Sequence, residues 1–222
     1  MGIYDIDSEL TFIVDSDDYL TPDAVKIILR YHCRYGEGKG LCGYAFLRGF
    51  PDGSINGKKF KPNEMIATYV EARINADDTN ADKAEVYLTQ CLKEFPFPEY
   101  PNEKFLGEDI VWIRMAEKYR MIHINRAIYI RNYLEDGLIQ NRRKHNIEAP
   151  VGCMNRANEF MRPEIKEKYR INGALQYVVY GCFAGQCLSR LFDKARDKKL
   201  VAVASLPGFL LYIKWKRTYL NH

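Results

Sequence analysis

The chain has 222 residues, 47% hydrophobic and 28% charged, with a formal net charge of +4. That length fits one ordinary domain, with or without an extension, and the apolar fraction supplies a real core, which excludes a disordered chain. The first residues, Met1 to Asp7, have neither a basic region nor an apolar core, and no apolar run reaches the roughly 18 residues a spanning helix needs, so neither a signal peptide nor a membrane span is expected. The six cysteines form no C-x-x-C pair and read as reduced thiols of a cytosolic protein. The charge is unevenly placed. Residues 190–217 hold eight basic residues against Asp193 and Asp197, a balance of +6 that favours anionic partners.

The first predicted element is a short buried strand, Leu10-Thr11-Phe12-Ile13-Val14, rich in β-branched and aromatic residues and free of charge. Asp15, Asp17 and Asp18 crowd the four positions that follow it. Thr21-Pro22-Asp23 then reads as a helix start, with Thr as N-cap and Pro at the first helical position. Strand, acidic turn and helix in this order place the carboxylates at the carboxyl edge of an α/β sheet, where open α/β sheets bind ligands. Asp15 and Asp17 can converge on one hard cation, Mg²⁺ or Mn²⁺, shared with a phosphate-bearing substrate. The plainer reading is an acidic turn that caps a helix.

The segment from Phe12 to Asp23 resembles the D-x-D segment of family-2-type glycosyltransferases, which have the GT-A fold. The resemblance implies that Asp15 contacts the ribose of a nucleotide-sugar donor, that Asp17 holds the metal under its diphosphate, and that Asp18 neighbours the metal site. It further implies a glycan or lipid-linked acceptor and a role in surface polysaccharide synthesis.

The next predicted helix runs from Pro22 to about Tyr35, with Ala24, Val25, Ile28, Leu29 and His32 on one face. His32 reads as a hydrogen-bonded residue at the edge of the core. A glycine-rich turn at 36–40 leads to a strand from Leu41 to Leu47, then a hairpin-like excursion at Pro51-Asp52-Gly53-Ser54. Pro62 to about Ile74 reads as helical. Asp77-Asp78-Thr79-Asn80, a second acidic cluster without a buried strand before it, reads as a solvated turn. A strand from Lys83 to Leu88 and a helix at Thr89–Glu94 precede a loop dense in Phe and Pro at 95–101.

Gly107-Glu108-Asp109 opens another amphipathic helix. Two acids at a helix start suit the dipole by themselves. The resemblance adds a second meaning, because an acidic pair at a helix start well downstream of D-x-D is the other signature of these glycosyltransferases, and it makes Asp109, with Glu108 beside it, the general base. Trp112 serves either as a sugar platform or as core. Strands are expected around Asn125-Arg126. The run from Gln140 through Arg142, Arg143, Lys144 and His145 either neutralises a departing diphosphate or forms a solvated face. From Ala149 onward the pattern is helical. The apolar stretch at 200–213 is broken by Pro207-Gly208 and flanked by Lys198, Lys199, Lys214, Lys216 and Arg217. It either lies on an anionic membrane or packs back on the domain.

The expected architecture is therefore an α/β protein: a truncated GT-A, Rossmann-like mixed sheet flanked by helices over residues 1–148, and a helical extension with a basic tail over 149–222. The truncation follows from the resemblance, which covers residues 3–145, whereas the family places strand–helix units ahead of D-x-D. The expectation is that the protein begins upstream, that a partner chain completes the sheet, or that the chain is an inactive remnant, with weak or absent turnover for the chain as it stands. The expected location is cytoplasmic, peripheral to the inner membrane face, with no nucleic-acid partner. Two rivals stand: a haloacid-dehalogenase-like phosphatase, in which a buried strand runs into a nucleophilic Asp, and a non-catalytic remnant.

Overall fold

A computed structural model of the chain describes residues 2–36, 38, 40–79, 81–131 and 142–220, with Arg142 described by its backbone only. Among the described residues six strands make one mixed sheet: β1 (Leu10–Phe12), β2 (Tyr19–Leu20), β3 (Leu41–Gly49), β4 (Met65–Ala67), β5 (Lys83–Leu88) and β6 (Arg120–Ile130). The helices are α1 (Ala24–Tyr35), α2 (Thr89–Glu94), α3 (Asp109–Met115), α4 (Arg142–Glu148), α5 (Pro150–Glu159), α6 (Glu167–Phe183), α7 (Leu188–Lys194) and α8 (Lys198–Tyr219), with a π-helical turn at Val70–Ile74. The fold is the expected mixed α/β arrangement of a sheet with flanking helices and a helical C-terminal part. The chain divides into two compact units, one of Met1–Pro96 with Arg114–Glu135 and one of Phe97–Ile113 with Asp136–His222.

In the first unit the strand order is β1-β5-β3-β6-β2, with β4 beside the other half of β6. β3 and β6 are parallel, β5 is antiparallel to both β1 and β3, and β2 and β4 are antiparallel to β6. β1, β3 and β6 therefore point the same way, and their carboxyl ends share one edge. The central strand β3 is buried along almost its whole length, as a strand covered on both faces must be. Tyr44, Phe46, Val86, Ile122, Ile124 and Ile128 pack with Ala24 and Ile28 of α1. Gly43 permits the close approach of β3 to β5: its φ is 147°, and a Cβ there would lie 2.0 Å from the Val86 carbonyl oxygen.

Several predicted elements differ. β1 stops at Phe12 and is an edge strand, so Ile13 and Val14 are exposed instead of buried. α1 begins at Ala24. Thr21 is not its N-cap, because its hydroxyl donates to Asp23 (2.8 Å). The buried face of α1 carries Ile27, Tyr31 and Tyr35 beside Ala24 and Ile28, which turns Val25 and Leu29 to solvent. The two tyrosines explain the rotation, since they bring more apolar area to the core than the two aliphatics. His32 is bonded as read, to Tyr44 Oη (3.1 Å) and Glu9 Oε1 (2.6 Å).

The segment predicted as one helix over 62–74 is a strand followed by a turn of π-helix. Met65–Ala67 fills the open edge of β6 at Met121–His123, and tertiary pairing overrides helical spacing there. The helix starts only at a capping box: the Thr68 N–H donates to Glu71 Oε2 (2.8 Å) and the Glu71 N–H donates to Thr68 Oγ1 (3.1 Å). β6 is one strand of 11 residues with register shifts opposite β3, where strands interrupted at Asn125 were expected.

In the second unit α5, α6, α7 and α8 enclose Met154, Ala157, Met161, Tyr177, Val178, Leu191 and Val201. α8 runs unbroken through Pro207, contrary to expectation. An interior proline costs about 3 kcal/mol. Packing offsets it, since Gly208 sits against α6 so closely that a Cβ would lie 2.8 Å from the Val178 side chain.

Candidate functional site

The D-x-D turn lies at the carboxyl ends of β3 and β6, held there by two side chains that the sequence motif does not include. Arg48, next to last in β3, donates from Nη1 to Asp15 Oδ2 (3.0 Å) and from Nε to the Lys83 carbonyl (2.8 Å). Tyr129, next to last in β6, accepts from the Asp15 N–H (3.0 Å) and donates to Asp15 Oδ2 (3.1 Å). The guanidinium lies 4.1 Å from the centre of the Tyr129 ring, a cation–π contact that fixes both groups. Burial raises the Tyr129 pKa, so its hydroxyl stays protonated and donates to the carboxylate. Both side-chain bonds fall on one oxygen of Asp15, and the side chain remains 54% exposed.

Asp17 is exposed in the turn itself. Asp18 points inward: its side chain is only 4% exposed, with Oδ2 3.9 Å from Arg48 Nη1. The cation beside Asp18 is thus the Arg48 guanidinium. The physical reason is the burial of Arg48, whose side chain is only 13% exposed and takes carboxylate partners to offset the cost of burying its charge. Among the described residues no group of three or more His, Cys, Asp and Glu could hold a metal ion. The exposed oxygens of Asp15 and Asp17 are hard donors that fit Mg²⁺ or Mn²⁺ only as part of a shell completed by a substrate's own oxygens.

Arg48 and Tyr129 escaped the sequence reading, though Arg48 leaves a signal as the single charge in the apolar run Leu41–Gly49. Tyr129 leaves none. The same unit corrects the reading of the second acidic cluster. Asp78 is buried and accepts from Lys83 Nζ (2.8 Å), a lysine with no exposed surface, and Arg73 donates to Glu85 (3.2 Å) and to the Asp78 carbonyl (3.0 Å). Burial lowers the Lys83 pKa, and the Asp78 hydrogen bond opposes that shift. Asp78 therefore belongs to an internal ion-pair network, while Asp77 and Thr79 are exposed as a solvated turn requires.

In the second unit, Asp109 is the first residue of α3, with Glu108 just before it. Arg156 of α5 grips the Asp109 carboxylate with Nε and Nη2, one bond to each oxygen. Gly107 makes room for this, since a Cβ there would lie 2.8 Å from the Arg156 side chain. Trp112 is buried and meets Phe97 edge-on at 5.6 Å, so it is core. Arg143 stacks on Trp215, with 3.9 Å between the guanidinium and the ring centre. Gln140 and the Arg142 side chain lie outside the described residues.

No protein-family model matches the chain, and no curated protein matches it in sequence. Solved structures do. A crystal structure of S. aureus TarS residues 1–349 superposes with a TM-score of 0.53 at 14% identity, covering 95% of this chain and 56% of that one. The same TarS fragment in complex with UDP-GlcNAc gives 0.51 at 15% identity, over 88% of this chain and 52% of that one. Its complex with UDP gives 0.50 at 15% identity, over 87% and 50%. The fold is glycosyltransferase-like. This chain spans about half the length of those TarS chains. The phosphatase alternative needs a buried strand running into its first Asp, whereas β1 is an edge strand that ends three residues before Asp15.

Proposed function

We propose that the chain is a glycosyltransferase that moves a sugar from a nucleotide-sugar donor to a hydroxyl acceptor, a glycan or a lipid-linked glycan. The observation that carries this reading is the exposed Asp15 carboxylate, held by Arg48 and Tyr129 at the carboxyl ends of parallel strands in a glycosyltransferase-like fold. The UDP and UDP-GlcNAc complexes of TarS make a uridine diphosphate sugar the first donor to try. In this reading residues 1–148 form the transferase domain and 149–222 its helical extension.

Each residue then has a task. Asp15, oriented by Arg48 and Tyr129, accepts a hydrogen bond from a donor hydroxyl. Asp17 with Asp15 would hold Mg²⁺ or Mn²⁺, which when bound supplies charge neutralisation for a departing diphosphate. Asp18 keeps Arg48 in place. Asp109 takes the proton of the acceptor hydroxyl as it attacks the anomeric carbon, an inverting displacement, with Glu108 alongside. Arg156 fixes the orientation of the Asp109 carboxylate. Arg142 and Arg143 balance the negative charge of the leaving group.

Isothermal calorimetry of the whole chain with UDP, with and without Mn²⁺, tests the donor half. Metal-dependent binding of UDP to the wild type that disappears in Asp17→Ala supports the reading. A wild-type chain that binds no UDP at any Mn²⁺ concentration points to the non-catalytic remnant. Release of phosphate from an aryl phosphate, lost in Asp15→Asn, returns the phosphatase.

A further inference from the structure

The outward side of α8 combines two properties that point to one kind of partner. Its inner side is buried through Val201, Ala204 and Gly208. Its outer side exposes Val203 (77%), Leu206 (69%), Leu210 (58%) and Phe209 (49%). Val203, Leu206 and Leu210 follow helical spacing, so they form one apolar row. Lys199 precedes that row and Lys214 and Arg217 follow it, all three exposed. From residue 198 to 222 there are five Lys and Arg and no Asp or Glu.

We infer that α8 lies flat on an anionic lipid surface, with Val203, Leu206, Phe209 and Leu210 among the acyl chains and the basic residues at the headgroups. Among the described residues no helix is long and apolar enough to cross a membrane. The separation of Lys199 from Lys214 is about 22 Å at the helical rise, and both ends carry cations, so the helix fits the interface plane. Charge selects the occupant. A second copy docking symmetrically through this row would set cations against cations, because the row has positive charge at each end and no acid to answer it. An anionic headgroup layer complements the same pattern, and the long Lys and Arg stems reach it from the apolar boundary. This inference stands apart from the transferase reading.

Co-sedimentation of the whole chain with vesicles tests it, using phosphatidylcholine alone and phosphatidylcholine mixed with phosphatidylglycerol. The wild type is expected to sediment with the anionic vesicles and to stay in solution with the neutral ones. Leu206→Glu/Leu210→Glu should remain in solution with both. Lys199→Gln/Lys214→Gln/Arg217→Gln should lose about 100-fold in partition, at roughly fivefold per basic residue. All replaced side chains are exposed, and circular dichroism checks that the helix content is kept. If the first variant does not fold, the second decides. The inference is overturned if the wild type ignores anionic vesicles or if folded variants bind them undiminished. It is also overturned if light scattering finds a dimer that Leu206→Glu/Leu210→Glu dissolves and that does not bind vesicles.

Discussion

Two acidic turns of the first unit look alike as sequences, and each sets a buried carboxylate beside an exposed one, but the buried carboxylates meet different cations. Asp15-Ser16-Asp17-Asp18 presents an Asp15 side chain that is 54% exposed, whereas Asp78, in Asp77-Asp78-Thr79, is buried against a lysine with no exposed surface. They are joined through Arg48, which bonds the Asp15 carboxylate with one nitrogen and the Lys83 carbonyl with another. A buried carboxylate–ammonium pair is costly to break, and an exposed one contributes little to stability. The buried Asp78–Lys83 pair is thus a structural anchor, whereas Asp15 and Asp17 keep exposed oxygens that a ligand can reach.

The largest effect is expected from breaking the buried pair. Asp78→Ala leaves the Lys83 ammonium without its carboxylate and should cost about 3–5 kcal/mol in urea denaturation. Asp78→Leu/Lys83→Met should recover most of that loss, because replacing both partners with apolar groups leaves no orphaned charge. If the single variant unfolds at the wild-type urea midpoint, the anchor does not exist.

The next effect comes from His123, which shares the Phe60 ring with Lys83: its own ring lies 4.8 Å away and Lys83 Nζ 5.5 Å away. Burial lowers its pKa from 6.5 to about 4. Above pH 6.5 the residue is neutral in both the folded and the unfolded chain and has no pH-dependent effect. Between about 6.5 and 4 only the unfolded chain takes up the proton, so stability falls with pH, by about 3 kcal/mol in all. His123→Asn should flatten that part of a stability–pH curve, and a curve with unchanged slope would count against the assignment.

A smaller loss, about 1 kcal/mol, is expected from Thr68→Ala, which removes half of the capping box at the start of the π-helical turn. The smallest stability effect should come from Asp15→Asn, under about 1 kcal/mol in thermal unfolding, because the Asp15–Arg48 pair is half open to water. The same variant should nevertheless lose UDP affinity in calorimetry. A large loss of stability there would put Asp15 in one class with Asp78.

Much of the fold could be read from local chemistry. Lys83–Leu88 and Thr89–Glu94 occupy their predicted ranges, and the Leu41 strand runs only two residues further than predicted. The helix after D-x-D ends at Tyr35 as expected, because glycines follow it. Local patterns failed where a distant strand supplied the partner. Met65–Ala67 has helical spacing but fills an open sheet edge, and Pro207 stays within a helix because α6 packs against the next residue. At the candidate site, the Asp residues were visible in one dimension because three carboxylates cluster after a charge-free run. Arg48 and Tyr129 come from strands 33 and 114 residues away, and no periodicity links them to Asp15.

The sequence by itself determined the kind of fold, the acidic turn after the first strand and the basic, apolar character of the last helix, since these depend on side-chain type and short spacing. Only the tertiary structure decided which carboxylate of each acidic turn is buried, which face of α1 meets the core, and which row of α8 faces outward. Those outcomes depend on which surfaces remain uncovered once strands and helices from distant parts of the chain have packed, and neighbouring residues do not encode that.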